Sequence, residues 1–288
     1  MSISIITLHL RREHHTRRLV ESLYAHTACP FELVVVCQET TAQAGAFLRE
    51  MATGRPGMKV VWNDRNVGTA AGRNQGLRAA GGSLVVLIDN DVEVHAGWLA
   101  PLVESMQRDS SVAAVGSLIL TPQGLPQYCS RYVVERTAGD GRRSLGLHFD
   151  RRFEAGDPMI NLSCEVPWYP TTCLMVRRSC FDDAGPFDEG FTIAEEDKDF
   201  CMSLRRAGFR ILYNPASRVS HHGYPRDPDY AAIRENRPLL HRDRERFEQK
   251  WSCDVINESS RRFLRESGVS PERIAWYERF PFFMRVVP

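Results

Sequence analysis

Short runs of consecutive apolar residues, separated by stretches of mixed polarity, organise the first 120 positions. Residues 31–36 (Phe-Glu-Leu-Val-Val-Val), 58–62 (Met-Lys-Val-Val-Trp) and 84–88 (Leu-Val-Val-Leu-Ile) are too short for helices and rich in branched side chains. That pattern predicts strands covered on both faces. A further strand is expected over 2–8. Between these runs, 11–26, 42–51 and 69–80 carry apolar residues at helical spacing among charged ones, and Gly81-Gly82 closes the third helix. The resulting order, β-α-β-α-β-α-β, predicts a parallel, doubly wound sheet with right-handed crossovers. A helix near 97–107 and a strand around 112–120 continue it.

From 121 to about 167 the period is lost among Gly, Pro, Arg and isolated aromatics, which predicts an insertion of loops and short strands. Regularity returns with a strand over 172–176, a short helix over 179–184 and a Gly-Pro-Phe-Asp turn at 185–188. An amphipathic helix over 195–207 ends at Gly208, and 209–213 is one more strand. Residues 230–251 read as a long, heavily charged helix, and the tail to Pro288 carries one apolar cluster, Phe-Pro-Phe-Phe-Met at 280–284. There is no internal repeat and no low-complexity segment.

A chain of 288 residues with ordinary apolar and charged fractions can bury a large core, and one domain with a C-terminal extension is expected. The net charge of +1 gives no general electrostatic case for nucleic acid or an acidic membrane surface. The eight cysteines are scattered without any Cys-x-x-Cys pair, which points to reduced, mostly buried thiols. Met1-Ser2-Ile3 leads directly into a strand with no leader-like succession, and no apolar run reaches membrane-spanning length. A soluble, cytoplasmic protein without a transmembrane segment is the expectation, with peripheral membrane association left open. The 280–284 cluster could serve a dimer contact, a membrane-surface contact or the core.

The candidate chemistry sits where the pattern changes from apolar to charged. The strand at 84–88 runs into Asp89-Asn90-Asp91, so two carboxylates fall at the carboxyl end of a central strand, where open α/β sheets bind ligands. Carboxylates at i and i+2 can converge on one hard divalent cation, although Asp-Asn-Asp is also common turn chemistry. A second acidic group, Glu195-Glu196-Asp197-Lys198-Asp199, opens the amphipathic helix. Acidic residues there suit the helix dipole, and one of them could equally act as a general base. His221-His222 could complete a metal site begun by carboxylates or belong to a solvated loop. Asn66-Val67-Gly68, with Arg73-Asn74 behind it, opens a helix whose amides could meet phosphate. Neither G-x-G-x-x-G nor a P-loop is present, which weighs against dinucleotide and ATP-hydrolysing readings.

Taken in order, the strand at Ile3, Val34-Val35-Val36, Asn66-x-Gly68, Arg73-Asn74-x-Gly76, Asp89-Asn90-Asp91, Trp98-Leu99, Arg177-Arg178, Gly185-Pro186-Phe187-Asp188-Glu189, Glu196-Asp197-x-Asp199-Phe200-Cys201, Leu204-Arg205-x-Ala207-Gly208 and His221 resemble glycosyltransferase family 2, of the GT-A fold. The resemblance covers about 3–223, and Phe247-x-x-Lys250-Trp251 is similar to that family's C-terminal segment. It implies a GT-A catalytic domain over 1–225, with a nucleotide-binding half at 1–120 and an acceptor-side half at 121–225, followed by a C-terminal helical extension over 226–288. It further implies that Asp89 and Asp91 form the DXD motif that binds Mn2+ or Mg2+, with His221 as a third metal ligand and His222 its fallback. Asp197 takes the place of the catalytic base of inverting members, and Glu196 that of its partner. Thr7, Glu39, Asn66, Arg73, Asp89 and Asn90 fall at positions near the nucleotide-sugar donor.

There are departures from the family pattern. Cys37-Gln38-Glu39-Thr40 stands where many relatives carry Asp-Asn-Gly-Ser, so that Glu39 could take over base recognition or the donor base could differ. Thr171-Thr172 replaces a glycine before the strand at Cys173, and the double Glu at 195 and 196 leaves the register of the base open by one. The expected activity is metal-dependent, inverting transfer from a nucleotide diphosphate sugar, expected to be UDP-linked, to an acceptor hydroxyl on a saccharide, lipid-linked, protein or small-molecule acceptor. A nucleotidyltransferase and a non-catalytic nucleotide-sugar-binding or scaffold protein of the same fold are the competing readings. Nucleic acid is not expected as a partner, and a homodimer is left open.

Overall fold

The computed structural model of the protein describes residues 2–139, 141–147, 153–223, 232 and 236–255. Its first half follows the apolar runs closely. Strands β1 (Ile3–His9), β2 (Glu32–Cys37), β3 (Met58–Trp62) and β4 (Leu84–Ile88) are joined by helices α1 (Glu13–His26), α2 (Ala42–Ala52) and α3 (Thr69–Ala79). All pairings among these strands are parallel, in the order β4-β1-β2-β3. Val34, Val35, Val36, Val85 and Val86 are fully enclosed, as expected for strands with helices on both faces. Each such side chain contributes about 2 kcal/mol by leaving water.

The second half adds β5 (Val92–Val94), α4 (Ala100–Arg108), β6 (Val112–Leu120), β11 (Cys173–Arg177), α5 (Cys180–Ala184), α6 (Glu196–Arg206) and β12 (Arg210–His221). Strand β11 inserts antiparallel between β4 and β6, and β12 runs parallel to β6. With β10 (Cys164–Glu165) at one edge, the main sheet therefore reads β10-β12-β6-β11-β4-β1-β2-β3, mostly parallel and flanked by helices. The irregular segment contains short strands: β7 (Pro126–Tyr128) pairs with β6, β10 (Cys164–Glu165) with β12, and β8 (Val133–Thr137) with β9 (Arg143–Leu147). A small second sheet, β13-β9-β8, is completed by β13 (Cys253–Val255).

Two elements differ from the sequence expectation. Helix α4 starts three residues later than expected, because Gly97 adopts a left-handed turn (φ 80) and Pro101 sits in the first helical turn, where its missing N–H is harmless. Strand β12 does not stop at Tyr213 but passes an irregularity between Asn214 and Arg218 and continues to His221. Of the charged helix expected over 230–251, the described part is α7 (Arg237–Trp251); the 280–284 cluster lies outside the described residues. Among the described residues no helix is long and apolar enough to cross a membrane.

Helix α7 is anchored through two buried carboxylates, Asp243 on the helix itself and Asp199 on α6. Asp243 Oδ2 accepts the backbone N–H groups of Thr192, Ile193 and Ala194 at 2.9, 2.8 and 3.2 Å. Lys250 Nζ and Trp251 Nε1 reach Asp199 on α6 at 2.8 and 2.7 Å. The 192–194 segment in turn receives α3, since Thr69 donates its backbone N–H to Thr192 O at 2.8 Å.

Candidate active site

A cavity of about 350 Å³ opens at the carboxyl ends of β1, β2 and β4, where an open α/β sheet is expected to take its ligand. Buried β4 delivers Asp89 and, after a tight turn, Asp91; Val92 N donates to Asp89 O at 3.2 Å. The extension of β12 brings the third group. Its antiparallel pairing with β5 puts His221 opposite Val92, one residue from Asp91. One ligand atom from each of Asp89, Asp91 and His221 lies within 4.8 Å of the others, close enough to meet on a single cation.

The surroundings prepare these groups for that use. His221 Nδ1 lies 2.9 Å from Gln127 Oε1 and Nε2 lies 3.0 Å from Asp91 Oδ1, so Gln127 orients the ring and Nε2 faces the carboxylates. Burial pushes the Asp91 carboxyl up, but His221, His15 and Arg12 outweigh it and hold the group below its ordinary range, hence charged. His222 is turned elsewhere, with Nδ1 2.9 Å from Arg18 and Nε2 2.8 Å from Glu93. A set of two carboxylates and one imidazole suits a hard to borderline divalent ion.

The acidic run at the start of α6 separates into distinct environments. Glu195 caps the helix in a left-handed conformation (φ 67) and accepts Lys198 Nζ at 2.7 Å. Glu196 is held at 2.6 Å by Arg73, whose other nitrogen lies 3.6 Å from Asp89. Asp199 is bound to α7 as described. Asp197 accepts the backbone N–H of Lys198 at 2.7 Å, and no side-chain cation is ion-paired with it among the described residues. Burial, with Glu196 beside it, pushes its carboxyl above the ordinary range, against the opposing pull of Lys198, the Lys198 amide and Arg73. It is a carboxylate made more basic by its surroundings, in a cavity wall.

Of the residues singled out from sequence, Asn66, Arg73, Asp89, Asn90, Asp91, Glu196, Asp197 and His221 all line this cavity. Asn66 Oδ1 accepts Gly68 N at 2.9 Å, and Asn90 Nδ2 donates to Thr16 on α1 at 3.0 Å, so both shape loops. Thr7 and Glu39 are not among the lining residues. Thr7 is buried in β1, and Glu39 lies 3.4 Å from Arg11. Gln38, next to Glu39 in the chain, does line the cavity, but its amide is spent on the backbone, donating to Gly68 O at 2.9 Å and accepting from Val67 N at 3.3 Å. Sequence reasoning missed Gln127, Lys198, and the α7 residues Arg237, Leu240, His241 and Arg244, all of which line the cavity. The i, i+4, i+7 spacing of Arg237, His241 and Arg244 was the signal available for a cationic helix face.

The sheet order and the acidic crevice at its strand ends define a GT-A fold, and comparison with solved structures agrees. The structure of GalNAc-T7 with UDP, GalNAc and Mn2+ superposes with a TM-score of 0.60 at 18% identity, over 77% of this chain and 44% of that one. The mannosyltransferase PcManGT from Pyrobaculum calidifontis, in complex with GDP-Man and Mn2+, gives 0.59 at 18% identity, over 83% of this chain and 62% of that one. The model of glycosyl transferase family 2 matches residues 4–185, and the chain belongs to that family. Curated relatives include the O-antigen biosynthesis protein RfbC of Myxococcus xanthus, 30% identical over 76% of this chain and 17% of that protein. The N-acetylglucosaminyl-diphospho-decaprenol L-rhamnosyltransferase of Mycobacterium tuberculosis is 30% identical over 48% of this chain and 46% of its own length. The chain thus spans less than half the length of each of these two relatives.

Proposed function

We propose that the protein is a metal-dependent, inverting glycosyltransferase that moves a sugar from a nucleoside diphosphate, UDP in the first instance, to an acceptor hydroxyl. The observation that carries this reading is the pairing, in one cavity, of a three-ligand acidic cluster with a separate, more basic carboxylate that no side-chain cation pairs with among the described residues. Asp89, Asp91 and His221 would hold Mn2+ or Mg2+, which when bound supplies positive charge to the leaving diphosphate. Asp197 takes the proton of the acceptor hydroxyl as that oxygen bonds to the anomeric carbon. The glycosyl C–O bond breaks with its electron pair going to the nucleoside diphosphate, and configuration inverts. The Arg73 bridge between Asp89 and Glu196 keeps the two ends in register, so orientation carries much of the rate. Mn2+ beside UDP or GDP-Man in structures of the same fold supports the metal and donor class. Gln127, Tyr128 and Leu147 of the irregular segment, with α7, are the acceptor-side walls in this reading.

The test is a thermal-shift panel of nucleotide sugars carrying each base, with Mn2+, with Mg2+ and with chelator, followed by product analysis. Metal-dependent stabilisation by one base family and release of a nucleoside diphosphate is the expected result. Release of pyrophosphate would instead indicate nucleotidyl transfer, and no stabilisation by any of them a non-catalytic protein.

A further inference from the structure

The first turn of α6 holds a charged pair that the displacement chemistry leaves unused. Lys198 is 4% exposed, lines the cavity next to Asp197, and has its Nζ 2.7 Å from Glu195 Oε2 and 4.6 Å from the centroid of the Trp168 ring. Glu195 and Trp168 are each 2% exposed. Enclosing an ammonium is costly, and so is a left-handed backbone at a glutamate. Both costs are incurred at one place, on the residues flanking the Glu196-Asp197 pair. A helix start needs neither feature, since serine, threonine or aspartate would cap it without strain.

We propose that Lys198, clamped by Glu195 and covered by the Trp168 ring, is a positioning residue that fixes a positive charge in the cavity wall beside Asp197 without covering the oxygen that meets the acceptor. The inference rests on the general-base reading of Asp197. The charged groups that face that carboxylate or share its cavity are Lys198, Glu195 and Glu196 at the start of α6, Arg73 from α3, Asp89 and Asp91 from the β4–β5 turn, His221 from β12, and Arg237, His241 and Arg244 from α7. Burial and Glu196 favour the neutral acid, and Lys198 opposes them more strongly than Arg73, which is shared between Glu196 and Asp89. The clamp matters because a free lysine could swing onto Asp197 and cover the oxygen that must meet the acceptor. With Glu195 holding Nζ, the ammonium acts through space and the base stays open to the cavity.

The test uses the full-length protein labelled with 13C at aspartate carboxyls, without substrate, so that it does not depend on knowing the acceptor. The Asp197 resonance is assigned by its loss in Asp197→Asn. In Lys198→Met its titration midpoint is expected to rise by about one pH unit or more. Lys198→Arg is expected to restore it, and Glu195→Gln, which keeps the ammonium and removes its clamp, to lower it. A midpoint unmoved in both Lys198→Met and Glu195→Gln overturns the proposal; should Lys198→Met fail to fold, the Glu195→Gln midpoint decides alone. The general-base reading fails separately, if Asp197→Asn retains transfer with the nucleotide sugar selected by thermal shift.

Discussion

The two acidic ends of the cavity are built in opposite ways. At the β4 end, Asp89, Asp91 and His221 come from two strands and turn their donor atoms toward one point, leaving a concentration of negative charge. At the α6 end, Glu195, Glu196, Asp197 and Asp199 are consecutive or nearly so, yet three of them are each satisfied by a different cation: Lys198, Arg73 and Lys250. Convergence brings three donor atoms within reach of one divalent ion. Dispersal neutralises three carboxylates and leaves the fourth, Asp197, chemically available. Similar composition therefore supports different chemistry, and the difference lies in which partners the fold supplies.

Breaking each end separately should give separable losses. The largest effect is expected from Asp197→Asn, with a fall in kcat of about 10³-fold while KM for the donor changes little, checked by steady-state kinetics. Asp91→Ala should abolish the Mn2+-dependent thermal shift by nucleotide, since a three-ligand set loses its most buried carboxylate. The anchor of the cavity wall is next. Asp243→Ala leaves three backbone N–H groups of 192–194 without their carboxylate and is expected to cost about 3 kcal/mol in urea unfolding. A smaller, pH-dependent effect concerns His9, whose imidazole burial pushes down to about 4. The unfolded chain binds a proton below pH 6.5 that the folded one refuses, so stability is lost as the pH falls from 6.5 toward 4. His9→Gln should remove roughly 2 kcal/mol of the stability difference between pH 7 and pH 5, measured by denaturant titration at both.

Much of this was legible in the sequence because the parallel half is built from local signals. Apolar runs such as 84–88 are core strands by necessity, and carboxylates that follow such a run fall at the carboxyl end of the sheet, where ligands bind. The meeting of Asp89 and Asp91 was legible for the same reason, but not the path of β12 that brings His221 to them. Its continuation past Asn214 depends on pairing with β5, a contact across more than 120 positions that no local pattern announces. The separate fates of Glu195, Glu196 and Asp197 were likewise hidden, because they are decided by Lys198 inside the helix and Arg73 on another. Around Cys37-Gln38-Glu39-Thr40 the sequence suggested Glu39 as the donor contact, whereas the backbone turns Gln38 inward and Glu39 toward Arg11. Helix α7 read only as polar and charged, so its place in the cavity wall could come only from Asp243 meeting the 192–194 amides.

The most direct measurement is calorimetric titration of UDP, and of GDP in parallel, into wild type, Asp91→Ala and Asp197→Asn, each with Mn2+ and with chelator. The account predicts Mn2+-dependent binding in wild type and in Asp197→Asn, within about twofold of each other, and its loss in Asp91→Ala. Equal loss in both variants would contradict the division of the cavity into a cation end and a base end.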